Sequence, residues 1–295
     1  MPSARASRRL QRALFVAGTW RPIEIVSRLY GRLHRPCTYV GEDTLLAQTV
    51  FGHLIHLDTR DTSLLPSLVT RGYWEAGVTR ALLRLVRTGD HVIEVGANVG
   101  YYTLLFASRV GSKGSVTAFE ANPRMVDLLR RTLATNGLTG AARVVPLAVT
   151  DRPGRVTLHR LGRQQGSSSI YAFAPEDLAV WDDEVSPLEV EATSLDAFFG
   201  AEAPPVDLVK IDAEGAEPAI VAGMGRLLGR SPRARLVIEF IPASLERAGH
   251  DPRVFLASLT GLGFRLQTID RRGRVRATSI DRLVASSSAE LHVSR

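Results

Sequence analysis

The stretch His91-Val-Ile-Glu-Val-Gly-Ala-Asn-Val-Gly-Tyr-Tyr-Thr103 constrains this chain more than any other. Three apolar residues, Val92, Ile93 and Val95, surround one acid, Glu94, and the text then turns abruptly rich in glycine. From Tyr101 to Val110 apolar residues recur at helical spacing. An apolar run, a glycine turn and an amphipathic run read as a buried strand, a tight turn and a helix start. Gly96 and Gly100 let the backbone come close to a ligand, and the free N–H groups of the helix start would face it.

The spacing separates two kinds of cradle. A dinucleotide turn carries G-x-G-x-x-G, so that a pyrophosphate rests on the helix N-terminus. Here the middle glycine position is Asn98. Glu94-x-Gly96-x-Asn98-x-Gly100 instead resembles motif I of the class I methyltransferases that use S-adenosylmethionine. A strand-to-helix turn that merely needs glycines is the plainer reading of the same residues.

Composition narrows the field. The chain of 295 residues is long enough for one large α/β domain with a substantial core. Cys37 is the single cysteine, so neither an internal disulfide nor a cysteine zinc cluster is expected, and a reducing, cytoplasmic setting is the default. The net charge of +7 is carried entirely by residues 1–36, where eight arginines stand against Glu24. The body from residue 37 onward is neutral, whereas a nucleic-acid enzyme should present a basic face, so no nucleic-acid partner is expected. The segment reads as a basic arm, a type that also suits peripheral contact with an anionic membrane. Its apolar run, Ala13 to Ala17, is too short to span a bilayer or to serve as a secretory signal.

Taken in order, Thr38 to Asp58 is strand-like, and Ala76 to Arg87 is a helix with Val78, Leu82, Leu83 and Val86 on its apolar face. A second strand, Ser115 to Phe119, ends in Glu120-Ala-Asn-Pro123. An acid at that tip is where a Rossmann-like fold holds ribose hydroxyls, since a carboxylate offers two acceptors to two vicinal OH groups. Pro123 to Asn136 is a helix, and Ala142 to Leu147 a third strand, after which Ala148, Val149 and Asp151 would border an adenine. Short strands at Arg155–His159, Ser168–Tyr171 and Leu188–Thr193 break the alternation. They read as an antiparallel insertion over residues 152–205 on the substrate side. Val206 to Ile211 is a fourth buried strand, delivering Asp212-Ala-Glu-Gly-Ala-Glu217 at its tip. A helix from Ala216 to about Leu228, a strand from Ala234 to Phe240, a helix over Asp251–Leu262 capped by Asp251, and a strand Phe264–Ile269 follow. The tail to Arg295 carries little signal. The organisation expected is a basic arm (1–36) and one domain (37–295) with an N-terminal extension (37–90) and that insertion.

Together, Glu94-Val-Gly-Ala-Asn-Val-Gly-Tyr-Tyr-Thr103, Glu120-Ala-Asn-Pro123, Asp207-Leu-Val-Lys-Ile-Asp-Ala-Glu-Gly-Ala-Glu217 and Ile238-Glu239 resemble the FkbM-type methyltransferases. The Lys-Ile-Asp-x-Glu-Gly-x-Glu element is the specific part. The resemblance runs from about Phe51 to Ile269, with the serines near Ser167 and Thr193-Ser-Leu-Asp196 included. It implies a Rossmann-like class I fold, a mostly parallel doubly wound sheet with an antiparallel elaboration. It also implies methyl transfer from S-adenosylmethionine, usually to a hydroxyl oxygen of a sugar, glycan or natural-product scaffold.

On that reading Glu94, Gly96, Asn98, Gly100, Tyr101, Glu120, Ala148 and Asp212 hold the cofactor, and Ser167, Ser168, Glu214 and Glu217 lie on the substrate side. A neutral alcohol is a poor nucleophile, so a general base is expected. Asp212 is the first candidate and Glu239 the second, each with a rival binding role. Lys210 is expected to pair with a carboxylate of this group. Asp212, Glu214 and Glu239 are of the type that hold hard cations, but no spacing fixes a geometry and no metal is assigned. Methylation of RNA or protein is the enzyme alternative, prompted by the basic arm. A non-catalytic, cofactor-binding partner in a biosynthetic assembly is another. Neither the acceptor nor the oligomeric state can be read.

Overall fold

Residues 37–201 and 204–295 are described by the computed structural model; the basic arm expected over residues 1–36 lies outside them. The first described residues form an antiparallel sheet of β1 (Cys37–Tyr39), β2 (Thr44–Gln48) and β3 (Leu54–Asp58), followed by α1 (Leu64–Thr70) and α2 (Ala76–Leu85). The glycine motif then supplies β4 (His91–Val95) and α3 (Tyr101–Val110), and the alternation continues through β5 (Ser115–Phe119), α4 (Pro123–Thr135) and β6 (Ala142–Val145). β7 (Ala148–Val149), β8 (Gly154–Leu161), α5 (Pro175–Trp181), β9 (Val185–Thr193) and α6 (Leu195–Phe199) interrupt it. It resumes with β10 (Leu208–Ile211), α7 (Glu217–Ala222), α8 (Gly225–Arg230) and β11 (Arg235–Phe240). Next come α9 (Pro242–Arg247), α10 (Pro252–Gly261), β12 (Arg265–Ile269), β13 (Val275–Ala277), α11 (Ile280–Val284) and β14 (Ala289–Ser294).

Eight strands make one sheet in the order β13-β12-β14-β11-β10-β4-β5-β6. From β6 to β11 neighbours are parallel, while β14 runs antiparallel between β11 and β12. This is the class I S-adenosylmethionine methyltransferase fold. Chain order reverses between β4 and β10, the topological switch point where such sheets open a crevice for a ligand.

The apolar pattern explains both layers. Along β4, Val92 packs in one core with α2, α3 and α4, whereas Ile93 and Val95 pack on the other face with α7, α8 and α10. Pro123 occupies the first turn of α4, and the Asn122 side chain accepts the Arg124 N–H at 3.1 Å. Asp251 caps α10 in the same way, accepting from Arg253 and Val254.

Two local expectations are corrected. Ser168–Tyr171 is not a strand: Gln165–Ser167 forms a single 3₁₀ turn, and only His159 and Ser169 pair. The helix expected from Ala216 to Leu228 is two short ones, α7 and α8. Gly223 separates them, where a Cβ would come within 2.4 Å of the Thr150 carbonyl. The tail, which carried little signal, supplies β14 to the interior of the sheet, with Leu291 and Val293 fully buried.

The N-terminal sheet is tied to α4 through one buried acid. Asp58, 1% exposed, accepts from Arg60 at 2.9 Å and from Arg124 at 2.8 Å. Arg124 reaches on to the Glu42 carbonyl and Thr44 Oγ1. Burial alone would raise the Asp58 carboxyl, but the Arg60 and Arg124 hydrogen bonds outweigh it and hold it at about 2. A depressed carboxyl adds stability above its ordinary value near 3.8, and that stability is lost as pH falls toward 2. Asp58→Asn is expected to cost about 2 kcal/mol at neutral pH in urea denaturation, with the difference shrinking below about pH 3.

Candidate active site

The carboxyl ends of β4, β5, β10 and β11 surround a cavity of about 380 Å³ at the switch point. On its floor the glycine motif makes a tight turn. Gly96 has φ +80°, and a Cβ there would sit 1.8 Å from the Asp212 carbonyl, so β4 and β10 approach as closely as they do only through glycine. Asn98 takes the left-handed conformation, φ 51°, which asparagine tolerates better than most residues. That is why it can stand where other motifs carry a glycine. Its side chain accepts the Val99 N–H at 2.7 Å, and its own N–H donates to Glu120 at 2.7 Å. Glu120 also accepts the Asn122 N–H at 2.8 Å, so this carboxylate is fixed from both sides at the tip of β5.

Glu94 is 0% exposed yet lines the cavity. Thr103 Oγ1 donates to one oxygen at 2.6 Å, while the other, Oε1, has no protein partner. Burial raises its carboxyl to about 8, against the pull of Lys210. Such an orphaned acceptor is suited to a ligand's N–H or O–H donor.

Sheet register builds the opposite wall. Lys210 is paired in register with Glu94 on one side and Val237 on the other. Lys210, 3% exposed, donates to Asp212 at 2.8 Å and lies 4.7 Å from the centre of the Tyr102 ring. The pairing expected for it is present. Burial opposes its charge, but Asp212, Glu94 and Glu75 restore it and raise its pKa. Burial likewise pushes the Asp212 carboxyl up, and Lys210 together with a hydrogen bond shared with Glu239 brings it below its ordinary value. One strand over, Glu239 is raised well above the carboxylate range, first by the Asp212 charge and then by burial.

Most of the expected site residues meet here. Glu94, Gly96, Asn98, Tyr101 and Glu120 line one half of the cavity, with Ala148, Val149, Phe119, Leu147 and Leu158 forming an apolar slot beside Glu120. Asp212, Glu214, Glu239, Ser167 and Ser168 line the other half. Burial and the Asp212 charge raise the Glu214 carboxyl to about 7.

Three expected residues are placed elsewhere. Gly100 caps α3 outside the lining, with φ 90°. Glu217 is 3% exposed and accepts the Ala213 and Gly215 N–H groups at 3.0 Å, so it holds its own turn instead of facing the acceptor side. Asp151 pairs with Arg152 at 3.3 Å and is not in the lining. Trp74, Glu75, Tyr102 and Gln165 are among the lining residues that were not anticipated. The only sequence sign was an acid and aromatics, Tyr73-Trp-Glu75, just ahead of α2.

The Methyltransferase FkbM domain model matches residues 94–266, more than half of the chain. The chain belongs to the FkbM methyltransferase family. No curated protein matches it in sequence. Among solved structures, the methyltransferase FkbM of Methylobacillus flagellatus KT is 14% identical with a TM-score of 0.41, over 71% of this chain and 45% of that one. An O-methyltransferase of Thermotoga maritima, described as S-adenosylmethionine-dependent, is 16% identical with a TM-score of 0.40, over 89% and 85%. An rRNA methylase of Streptococcus thermophilus is 12% identical with a TM-score of 0.40, over 74% and 93%. Among the described residues no helix is long and apolar enough to cross a membrane.

A carboxyl whose pKa is raised on folding costs stability as pH climbs from its unfolded value to its folded one. Glu94 rises from 4.5 to about 8. The ligand-free protein should therefore lose stability across that window, and Glu94→Gln should flatten the loss. Melting temperature followed against pH for both proteins checks this; parallel curves would refute it.

Proposed function

We propose that the chain transfers a methyl group from S-adenosylmethionine to a hydroxyl oxygen of a sugar, glycan or natural-product scaffold. The observation that carries this reading is the pairing of Asp212 and Glu239 on neighbouring strand tips, in the same cavity as the Gly96 turn and Glu120. The residues fit the cofactor. Glu120, held by two backbone N–H groups, keeps lone pairs for ribose hydroxyls. The slot of Ala148, Val149 and Leu158 suits an adenine face, and Glu94 Oε1 offers an acceptor to an ammonium. When bound, the cofactor supplies an electrophilic methyl on a cationic sulfur.

The chain's own part is to orient the acceptor and take its proton. Asp212 is a weak proton acceptor, because Lys210 at 2.8 Å stabilises its charge. Glu239, raised by its neighbour, has the stronger affinity for a proton and is assigned as the base, reversing the order expected from sequence. Asp212 then keeps Lys210 and Glu239 in place. Glu214 and Ser167, which share a hydrogen bond, are the nearest groups for other hydroxyls of a polyol. The only lysine in this wall is committed to Asp212, so the lining favours a neutral acceptor over an anionic one such as RNA.

Isothermal titration should give S-adenosylmethionine binding to the wild-type chain, and Glu120→Ala should weaken it by at least about tenfold through loss of two charge-assisted hydrogen bonds. A folded protein that binds no S-adenosylmethionine would sink the proposal. Glu239→Gln should retain binding within about tenfold while transfer of a labelled methyl falls by two orders of magnitude or so.

A further inference from the structure

Beside the base lies a group of acids that the family's own motifs do not explain. Glu239 on β11 is paired in register with Glu290 on β14, two like-charged residues directly opposite each other. Such a cross-strand pair is destabilising when both are ionised. Glu75 joins them from just ahead of α2, and each of the three offers an oxygen within 4.8 Å of the other two. Tyr102 Oη donates to Glu75 Oε2 at 2.8 Å and fixes it there. Glu75 also sits at φ 36°, a left-handed backbone conformation unusual for glutamate. Glu75 and Glu290 both fall outside residues 94–266, the segment that defines the family.

The charge around Glu239 does not balance. Facing it are Asp212 and Lys210 from β10, Glu214 from the following turn, Glu290 from β14, Glu75 from the start of α2, and Glu94 from β4 beyond Lys210. Lys210 is engaged by Asp212, and Arg247 lies over the Phe173 ring, donates to the Glu214 carbonyl at 3.3 Å and offsets only the Glu214 charge. Carboxylates this close cannot all ionise in a half-buried site, so one of them keeps its proton. The buried, unpartnered Glu94 Oε1 in the same cavity marks it as built to receive a ligand with positive character.

We propose that Glu75 and Glu290 act through Glu239: the three hold one proton in the cofactor-free protein, and entry of the cationic methyl donor expels it. Glu239 thus becomes a base only when the donor is present. This rests on the S-adenosylmethionine reading above. The chemistry is a simple acid dissociation, in which a carboxyl O–H bond breaks and the proton goes to bulk buffer. S-adenosylmethionine carries one net positive charge, and its demethylated product S-adenosylhomocysteine carries none. A unit charge about 6 Å away at an effective dielectric of about 20 favours the ionised carboxyl roughly a hundredfold. The donor therefore arms the base and the spent product does not. All three carboxyls are raised, Glu239 first by the Asp212 charge and Glu75 and Glu290 first by burial, with Glu75 adding to Glu290 and Glu290 to Glu239, in agreement with a held proton. Glu75 and Glu290 are thus positioning residues for the base.

The experiment is titration calorimetry of the full-length chain near neutral pH, with EDTA present, in buffers of differing ionisation enthalpy. The slope against that enthalpy counts protons released per ligand. Binding of S-adenosylmethionine should release about 0.5–1 proton more than binding of S-adenosylhomocysteine, because the ammonium common to both can draw a proton from Glu94 in either case. Glu75→Gln and Glu290→Gln should each cut that excess by at least about half while still binding the donor, because one fewer carboxylate then competes to keep the shared proton in place. Equal release with both ligands, or donor binding with no release, overturns the proposal and leaves the cofactor reading intact. An undiminished excess in both variants also overturns it. Absence of any donor binding overturns the cofactor reading beneath it. The two-ligand comparison uses only the wild-type chain, so it decides the matter even where a variant fails to fold.

Discussion

The buried ion pair between Lys210 and Asp212 is the interaction on which the rest of the site depends. Lys210 lies within β10, deep in the sheet, and a charge at such a position persists only with a close partner. Asp212 supplies it from two residues further on, on the same face of the strand. The consequence spreads sideways through the register. Glu94 on β4 stands next to Lys210 on one flank, and Glu239 stands next to Asp212 on the other. One ammonium thus bears on acids of three neighbouring strands, directly on Asp212 and Glu94 and through Asp212 on Glu239. It keeps Asp212 ionised, and the ionised Asp212 in turn pushes Glu239 toward holding a proton. An acid and a base of unequal strength, side by side, come from two chemically similar carboxylates because only one of them touches the lysine.

The switch point gives this chemistry its location. At Gly96 the strands β4 and β10 are in such close contact that no side chain fits, and beside that contact the crevice opens. Glu120 on one side and the Asp212–Glu239 pair on the other are then held at fixed separations by strand ends rather than by loops. A sheet is a rigid way to place reacting groups, and positioning is the larger part of what a methyl transfer needs from a protein. The insertion carrying Gln165, Ser167 and Ser168 closes over the cavity from outside the sheet. It is the part of the site best placed to vary with the acceptor.

How much of this was legible follows the range of the interactions. The strand and turn at Glu94–Gly100 and the strand ending at Asp212 were readable, because a buried apolar run and its glycine turn are local signals. Lys210 beside Asp212 was readable for the same reason, since two residues apart on a strand means one face. Glu217 was misplaced because its carboxylate folds back onto the Ala213 and Gly215 N–H groups, a local competition that spacing does not reveal. Glu290 could not be found at all. Its place opposite Glu239 exists only because β14 inserts antiparallel between β11 and β12, and nothing in the tail announces that topology. Glu75 was hidden likewise, since its contact with Tyr102 depends on how α2 packs over α3.

The central claim is that these strand tips direct a methyl group onto a hydroxyl oxygen. The most direct measurement is incubation of the full-length chain with methyl-labelled S-adenosylmethionine and fractionated host extract, followed by mass spectrometry of the labelled species. Label should appear as a methyl ether on a neutral polyhydroxylated molecule and fall by about two orders of magnitude with Glu239→Gln. Label on RNA or protein, or label undiminished by Glu239→Gln, contradicts it.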